Sequence, residues 1–353
     1  MGRCKAFLER KNVIFSAKRY GIDALGAMAQ GLFASLLIGT ILSTLGEQAG
    51  LPVFVEIAKY AQSVTGVAMA IAIGYALQCP PLVLFSLAAV GQAANVLGGA
   101  GGPLAVYIVA TISAEIGKIV SKETKIDILV TPIVTIGTGV LLSMWVAGYI
   151  GQAASAVGGA IMWATELQPF WMGMFVSVIV GIALTLPISS AAICAALSLT
   201  GLAGGAAVAG CCAQMIGFAV LSYRENRFGG FIAQGLGTSM LQMGNIVKNI
   251  KIWIPAILTS AITGPIATCV FGLKMNGAAV ASGMGTCGMV GPIGVYTGWI
   301  ADIANGQKTG ITAMDWIGLL FIAIVLPAVL TWVFGLICRK LGWIKENDLK
   351  LDL

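Results

Sequence analysis

Apolar runs recur along nearly the whole chain, near residues 24–46, 63–78, 82–97, 103–120, 127–149, 170–187, 252–272 and 313–338. Several of them reach the ~20 residues that a helix needs to cross a bilayer. Inside lipid, the backbone must pair its own polar groups, which restricts spanning structures to helices and closed barrels. Runs of this length read as helices. Composition agrees, with 58% of residues hydrophobic and 10% charged, against about 25% charged in soluble domains. The expected fold is therefore an all-α polytopic membrane protein of about 8–10 transmembrane helices. The range is open because the apolar stretch 188–222 reads either as two short crossings or as one deep hairpin.

The net charge of +6 would suit nucleic acid, but its distribution does not. Of 20 Lys and Arg residues, 17 fall in the groups Arg3–Arg19, Lys118–Lys125, Arg224–Lys251 and Arg339–Lys350. Basic residues grouped in short loops mark the cytoplasmic side. All four groups, and both termini, are expected there, with no nucleic-acid partner. Lys59 and Lys308 fall in loops of the other side, and Lys274 is left over. The basic N-terminal stretch is long for a signal peptide and no A-x-A site follows it, so no cleavage is expected. Residues 1–22 read as an amphipathic helix on the inner membrane surface, 23–340 as one transmembrane domain and 341–353 as a cytoplasmic tail. The partners expected on this reading are the lipid bilayer and a small polar solute.

Histidine is absent, which removes the commonest metal ligand and general base. The eight cysteines, Cys4, Cys79, Cys194, Cys211, Cys212, Cys269, Cys287 and Cys338, form no C-x-x-C pair. Most sit in apolar sequence, where cysteine acts as a small hydrophobe. No P-loop is present, so no ATP-driven engine is visible. Neither a cofactor, a metal nor a catalytic residue is expected.

Two internal echoes suggest repeats. "VGQAANVLGGA" (90–100) and "IGQAASAVGGA" (150–160) share seven of eleven positions. "GLAGGAAVAG" (201–210) resembles "GLKMNGAAVASG" (272–283), and each follows a Pro-Ile pair. Inverted repeats with interrupted helices are a transporter design, in which broken helices present polar backbone to a solute. The glycines at 277, 283, 285, 288, 291 and 294 fit a re-entrant hairpin dipping in from the outside. Their other reading is close helix packing through small residues.

Polar side chains inside this apolar sequence are the candidate solute contacts. Gln92 with Asn95, and Gln152 with Ser155, each stand three residues apart on one helical face. They suit either a solute or interhelical hydrogen bonds. Glu166, with Gln168, Trp163 and Trp171 nearby, reads either as part of an interfacial aromatic belt or as a substrate- or proton-binding carboxylate at membrane depth. Ser189 and Ser190 follow Pro187 and suit the cap of a short helix. Residues 231–253, with Gln234, Thr238, Ser239, Gln242 and Asn245, read either as a cytoplasmic surface helix or as an inner opening to the site. Lys274 and Asn276 open the glycine-rich segment. Lys274 either snorkels to the outer interface or pairs with an anionic group. The expected substrate-binding set is Gln92, Asn95, Gln152, Glu166, Ser189, Ser190, Thr238, Ser239, Asn245, Lys274 and Asn276.

Three strings, "PISSAAICAAL", "GLGTSMLQMGNI" and "NGAAVASGMGTCGMVGPIG", occur in this order. Through them the chain resembles the EIIC membrane permeases of the bacterial phosphoenolpyruvate-dependent sugar phosphotransferase system. It is most similar to an EIIC-like branch labelled as a toxin (perfringolysin-type) regulator. The resemblance implies an inner-membrane homodimer with re-entrant hairpins that moves a sugar or sugar-like solute by alternating access. It also implies separate EIIA and EIIB proteins as partners, because no histidine is present to carry the EIIA phosphate. Two further functions stay open: a membrane sensor that regulates gene expression through a partner, and an ion- or proton-coupled carrier of a non-sugar solute with Glu166 titrating.

Overall fold

A computed structural model describes residues 2–351, with side chains from residue 6 onward. The first residue of the expected surface helix, the Cys4 side chain and the last two residues of the expected tail lie outside the described residues. The regular secondary structure of the described residues is helical, apart from one isolated β-bridge. Six helical stretches are long and apolar enough to cross a membrane. They are Arg19–Ala49, Pro81–Val120, Asp127–Thr165, Gly201–Leu221, Ile250–Val270 and Ala313–Lys340. A seventh is added if Pro52–Ser63 and Thr65–Ala76, bent by 51° at their junction, count as one span. The shorter helix Pro169–Thr185 is equally apolar in character.

Pro81–Val120 is a folded-back pair rather than a rod. Its halves, Pro81–Gly98 and Gly102–Val120, flank Gly99, whose φ of +50° suits glycine. A Cβ placed on Gly98 would lie 2.9 Å from Ala105 Cβ, whereas seven residues of straight helix span about 10 Å. The two halves therefore pack on each other, as their contacts show.

Contacts divide the chain into two compact units. The first holds the chain up to Gly39 together with Glu56–Ala153, and the second holds Thr40–Val55 and the chain from Ala154 onward.

In the first unit, Met28, Met69, Ile73, Leu87 and Val109 are fully buried. Gly66 and Gly91 approach so closely that a Cβ on either would strike the other's backbone carbonyl. At one end, the N-terminal segment is tied down by charge. The single surface helix expected over 1–22 is two pieces. Helix Gly2–Arg10 ends before Asn12, which has φ +56°, and helix resumes at Ala17. The gap between them is used by Lys118, which is 1% exposed. Its Nζ donates to Asn12 O at 2.9 Å, to Leu77 O at 3.2 Å and to Glu115 Oε1 at 2.9 Å. All three ammonium donors are thus used. Arg19 donates to Asn12 Oδ1 at 2.9 Å and to Leu77 O at 2.5 Å. Lys11 pairs with Glu123 at 2.5 Å and holds its carboxyl below the usual carboxylate range. Two of the four basic groups therefore meet at one end of this unit, as a common side of the membrane requires. Burial pushes the nearby Cys79 thiol up to about 12, so it stays protonated at neutral pH. All seven described cysteines are free.

The second unit is built around helix Gly201–Leu221, whose apolar window is 94% buried. Pro169–Thr185, Ile250–Val270 and Ala313–Lys340 pack against it. Contact is backbone to backbone. A Cβ on Gly210 would strike Ser177 O, and one on Gly264 would strike Gly173 O. The broken helix of a transporter repeat is therefore not found over 201–210. The glycines there serve close packing, and the helix runs unbroken to Leu221. The remaining two basic groups also meet here. Arg339 pairs with Glu225 at 2.8 Å, and Asn249 donates to Asp348 at 2.8 Å.

Candidate functional site

The segment that follows Ile250–Val270 does break from helix. Gly272, at φ +55°, turns the chain, and Met275 forms an antiparallel bridge with Gly201, at 2.9 Å in both directions. A Cβ on Gly205 would strike Leu273 O. The chain then passes through a 3₁₀ turn, Ala279–Gly283, and left-handed residues Gly285, Gly288 and Met289 before helix Val290–Ala304 begins. A second tip meets it. Ser189 caps helix Ser190–Ala196 by accepting from Ala192 N at 3.2 Å. Ser190 donates to Gly283 O at 2.7 Å, and Ser282 donates to Leu199 O at 2.6 Å. The two echoing strings, 201–210 and 272–283, therefore touch directly, one as helix and the other as irregular chain. The freed backbone groups are paired by serines and by the bridge, which is how irregular backbone persists inside a membrane protein.

Beside this junction lies a polar cavity of about 320 Å³. Lys274, Asp302, Lys308, Asp315, Gln307 and Trp299 line it. Asn276 Nδ2 reaches both oxygens of Asp302, at 3.0 and 2.9 Å. Lys308 pairs with Asp315 at 2.9 Å and lies 5.9 Å from the Trp299 ring centroid. Asp315 also closes a capping box with Thr312, fixing the start of Ala313–Lys340. Lys274 is exposed and has no ion-pair partner among the described residues. The cavity thus offers two cations, two carboxylates, an amide and an aromatic face. Such a set suits a polar solute with several hydroxyl groups.

Deeper in the unit, Gln214 is fully buried. It accepts from Trp253 Nε1 at 2.8 Å and Thr185 Oγ1 at 3.2 Å, and donates to Ser260 Oγ at 3.2 Å. Thr185 in turn meets Ser239 at 2.8 Å. Replacing Gln214 with Leu orphans the Trp253 N–H, at a cost of about 1–3 kcal/mol. Chemical denaturation followed by tryptophan fluorescence should show that loss. An unchanged midpoint would mean the network adds nothing to stability.

The expected substrate set is divided between the two units. Gln92, Asn95 and Gln152 belong to the first unit, and the other eight residues to the second. Gln92 and Gln152 are exposed, while Asn95 is half-buried beside Gly66 and Gly102. Glu166 is exposed and has no ion-pair partner among the described residues. Within the second unit, Lys274 and Asn276 reach the cavity, Asn276 through Asp302. Ser189 and Ser190 hold the junction. Thr238 accepts from Met240 N at 3.1 Å, and Ser239 joins the buried network.

Asn245 lies elsewhere again. Residues 231–253 are not a surface helix, since Gln234 and Gln242 are fully buried. Their amides are satisfied locally. Gln242 donates to Gln234 Oε1 at 2.9 Å and to Leu349 O at 3.0 Å. Asn245 donates to Gln242 Oε1 at 2.9 Å and to Lys350 O at 2.8 Å. Sequence reasoning missed Gln214, Asp302 and Asp315. Gln214 is a lone amide in an apolar span. The two aspartates stand in the helix ends on either side of the short loop that carries Lys308, a charge grouping that was visible.

A family model described as "Phosphotransferase system, EIIC" matches residues 22–351. The chain belongs to this family. EIIC proteins are permease subunits rather than catalytic enzymes. This EIIC chain is accordingly a multi-pass membrane protein of a transport family. Neither the curated proteins nor the solved structures give a match.

Proposed function

We propose that this EIIC chain moves a small polar solute, a sugar or sugar-like compound, across the bacterial inner membrane by alternating access. The observation that carries this reading is the polar cavity beside the unwound segment, with Lys274 unpaired at its edge. Unwound backbone next to a polar pocket is a transporter arrangement. In this reading the solute displaces cavity water and takes hydrogen bonds from Lys274 and Asn276 while Asp302 accepts. Uptake of labelled sugars and polyols into proteoliposomes tests it. Lys274→Met and Asp302→Asn should each lower uptake roughly tenfold, since a hydrogen bond to a charged group contributes about 1.5–3 kcal/mol. Wild-type uptake by both variants would remove the cavity from the transport path.

The same reading places both termini in the cytoplasm and gives about 8–10 crossings. Support comes from the fold-back at Gly99, the apolar helix Pro169–Thr185 and the pairwise meeting of the basic groups. It keeps residues 1–22 on the inner surface, 23–340 as one EIIC-like functional domain and 341–353 as a cytoplasmic tail. It also takes in a homodimer and separate EIIA and EIIB partners, as the family resemblance implies, and the internal repeats that the echoing strings suggest.

A second reading, the solute sensor of the regulator-like branch, is favoured by one feature. Asn226, Gln242, Asn245 and Asn249 hold main-chain groups between Trp343 and Leu351, so the C-terminal segment is positioned by the membrane unit. Solute binding without flux in the same vesicles would select it. Uptake driven by an imposed pH gradient would instead select an ion-coupled carrier.

A further inference from the structure

A second cavity, of about 350 Å³, lies in the second unit away from the polar one. Its walls include Val220, Phe231, Trp332 and Leu336, and its lining also holds Arg224 and Arg339. Trp332, Gly335, Leu336 and Arg339 occupy one face of a single helix, at spacings of three and four residues. Gly335 closes on Leu221, where a Cβ would collide with the leucine side chain. The two helices therefore touch behind the groove, while Trp332 stays 55% exposed at its open side.

The charges stand where these helices end. Arg339 Nη2 donates to Leu221 O at 3.2 Å and to Glu225 Oε1 at 2.8 Å. Among the described residues its Nε and Nη1 donate to nothing, and Arg224 has no ion-pair partner. Glu225 offsets one of the two guanidinium charges, and its side chain is 4% exposed behind Arg339. One net positive charge remains at the mouth of an apolar groove. Both arginines belong to basic groups that mark the cytoplasmic leaflet, which is the anionic one.

We propose that this groove seats one acyl chain of an anionic phospholipid, whose phosphate is held by Arg224 and the free N–H groups of Arg339. A water-soluble anion would leave the apolar walls uncovered, and a neutral lipid would leave the net charge unmatched. The guanidinium fork suits a phosphate in geometry as well as charge. Trp332 and Tyr223 flank the site as aromatic residues do at a membrane interface.

Native mass spectrometry of the full chain in detergent, titrated with dioleoylphosphatidylglycerol or dioleoylphosphatidylcholine, tests this. The wild-type protein should retain the anionic phosphatidylglycerol preferentially. Arg224→Gln should weaken its retention about fivefold, the equivalent of the ~1 kcal/mol that one basic side chain contributes at an anionic surface. Arg224→Lys should keep most of it. Leu336→Trp, which fills the groove, should weaken both lipids. Arg224 is exposed and unpaired, so its substitution leaves the fold intact, and the elution volume and thermal midpoint check this. Equal retention of the two lipids by the wild type would overturn the proposal, as would unchanged retention in Arg224→Gln. Displacement of the lipid by millimolar inorganic phosphate alone would also overturn it, by showing an ion site instead. None of these readouts depends on transport.

Discussion

Gly205→Ala is expected to yield a protein that unfolds well below the wild type in detergent and transports nothing. A single added carbon at this position would strike the Leu273 carbonyl oxygen and come within 2.8 Å of its carbon. The obstacle is backbone, so no rotamer change relieves it. The helix cannot withdraw either, because its window is 94% buried and its other face is closed on Ser177 through Gly210. Overpacking of this kind costs about 1–3 kcal/mol, and the Gly201–Met275 bridge is lost with it. Thermal unfolding followed by tryptophan fluorescence measures the effect. Gly159→Ala is the control, since nothing lies within 4 Å of a Cβ there, and helix propensity favours alanine. If Gly205→Ala matched Gly159→Ala, the direct contact between the two segments would be wrong.

Lys118→Met should be as damaging in the first unit. It removes three donors from Asn12, Leu77 and Glu115. It also leaves the Glu115 carboxylate, 8% exposed, without its cation. Breaking a buried pair from one side costs about 3–5 kcal/mol, whereas replacing both partners with apolar residues is often close to neutral. The double variant Lys118→Met, Glu115→Leu should therefore recover part of the loss. A double-mutant cycle on denaturation midpoints separates the two terms. Limited trypsin digestion adds a local readout, because the N-terminal segment is tied to this site through Asn12 and should be cut faster. Equal stability of wild type and Lys118→Met would show that the pair lies outside the stabilising core.

The echoing strings show where sequence reading stops. "VGQAANVLGGA" turns at Gly99, while "IGQAASAVGGA" stays inside helix Gly148–Thr165. The first is turned because Gly98 closes on Ala105 and Gly101 on the Ile150 backbone. Nothing in the eleven residues themselves selects between these outcomes. The same holds for 201–210 and 272–283, one helical and one irregular. Ser189 was legible as a cap because capping is local, decided within three residues. Gln214 was not, since its partners Trp253, Thr185 and Ser260 lie 39, 29 and 46 residues away.

By itself the sequence determined that this chain lives in a bilayer, which segments are apolar enough to cross it and where its basic groups cluster. Transfer into lipid sums over neighbouring residues, so local composition is enough. Only the tertiary structure decided that Gly201 pairs with Met275, that Asp302 and Asp315 join Lys274 around one cavity, and that the amides of 226–249 are taken up by the C-terminal segment. Those outcomes depend on which distant surfaces meet, and close backbone approach through glycine is a property of a pair of helices rather than of either one.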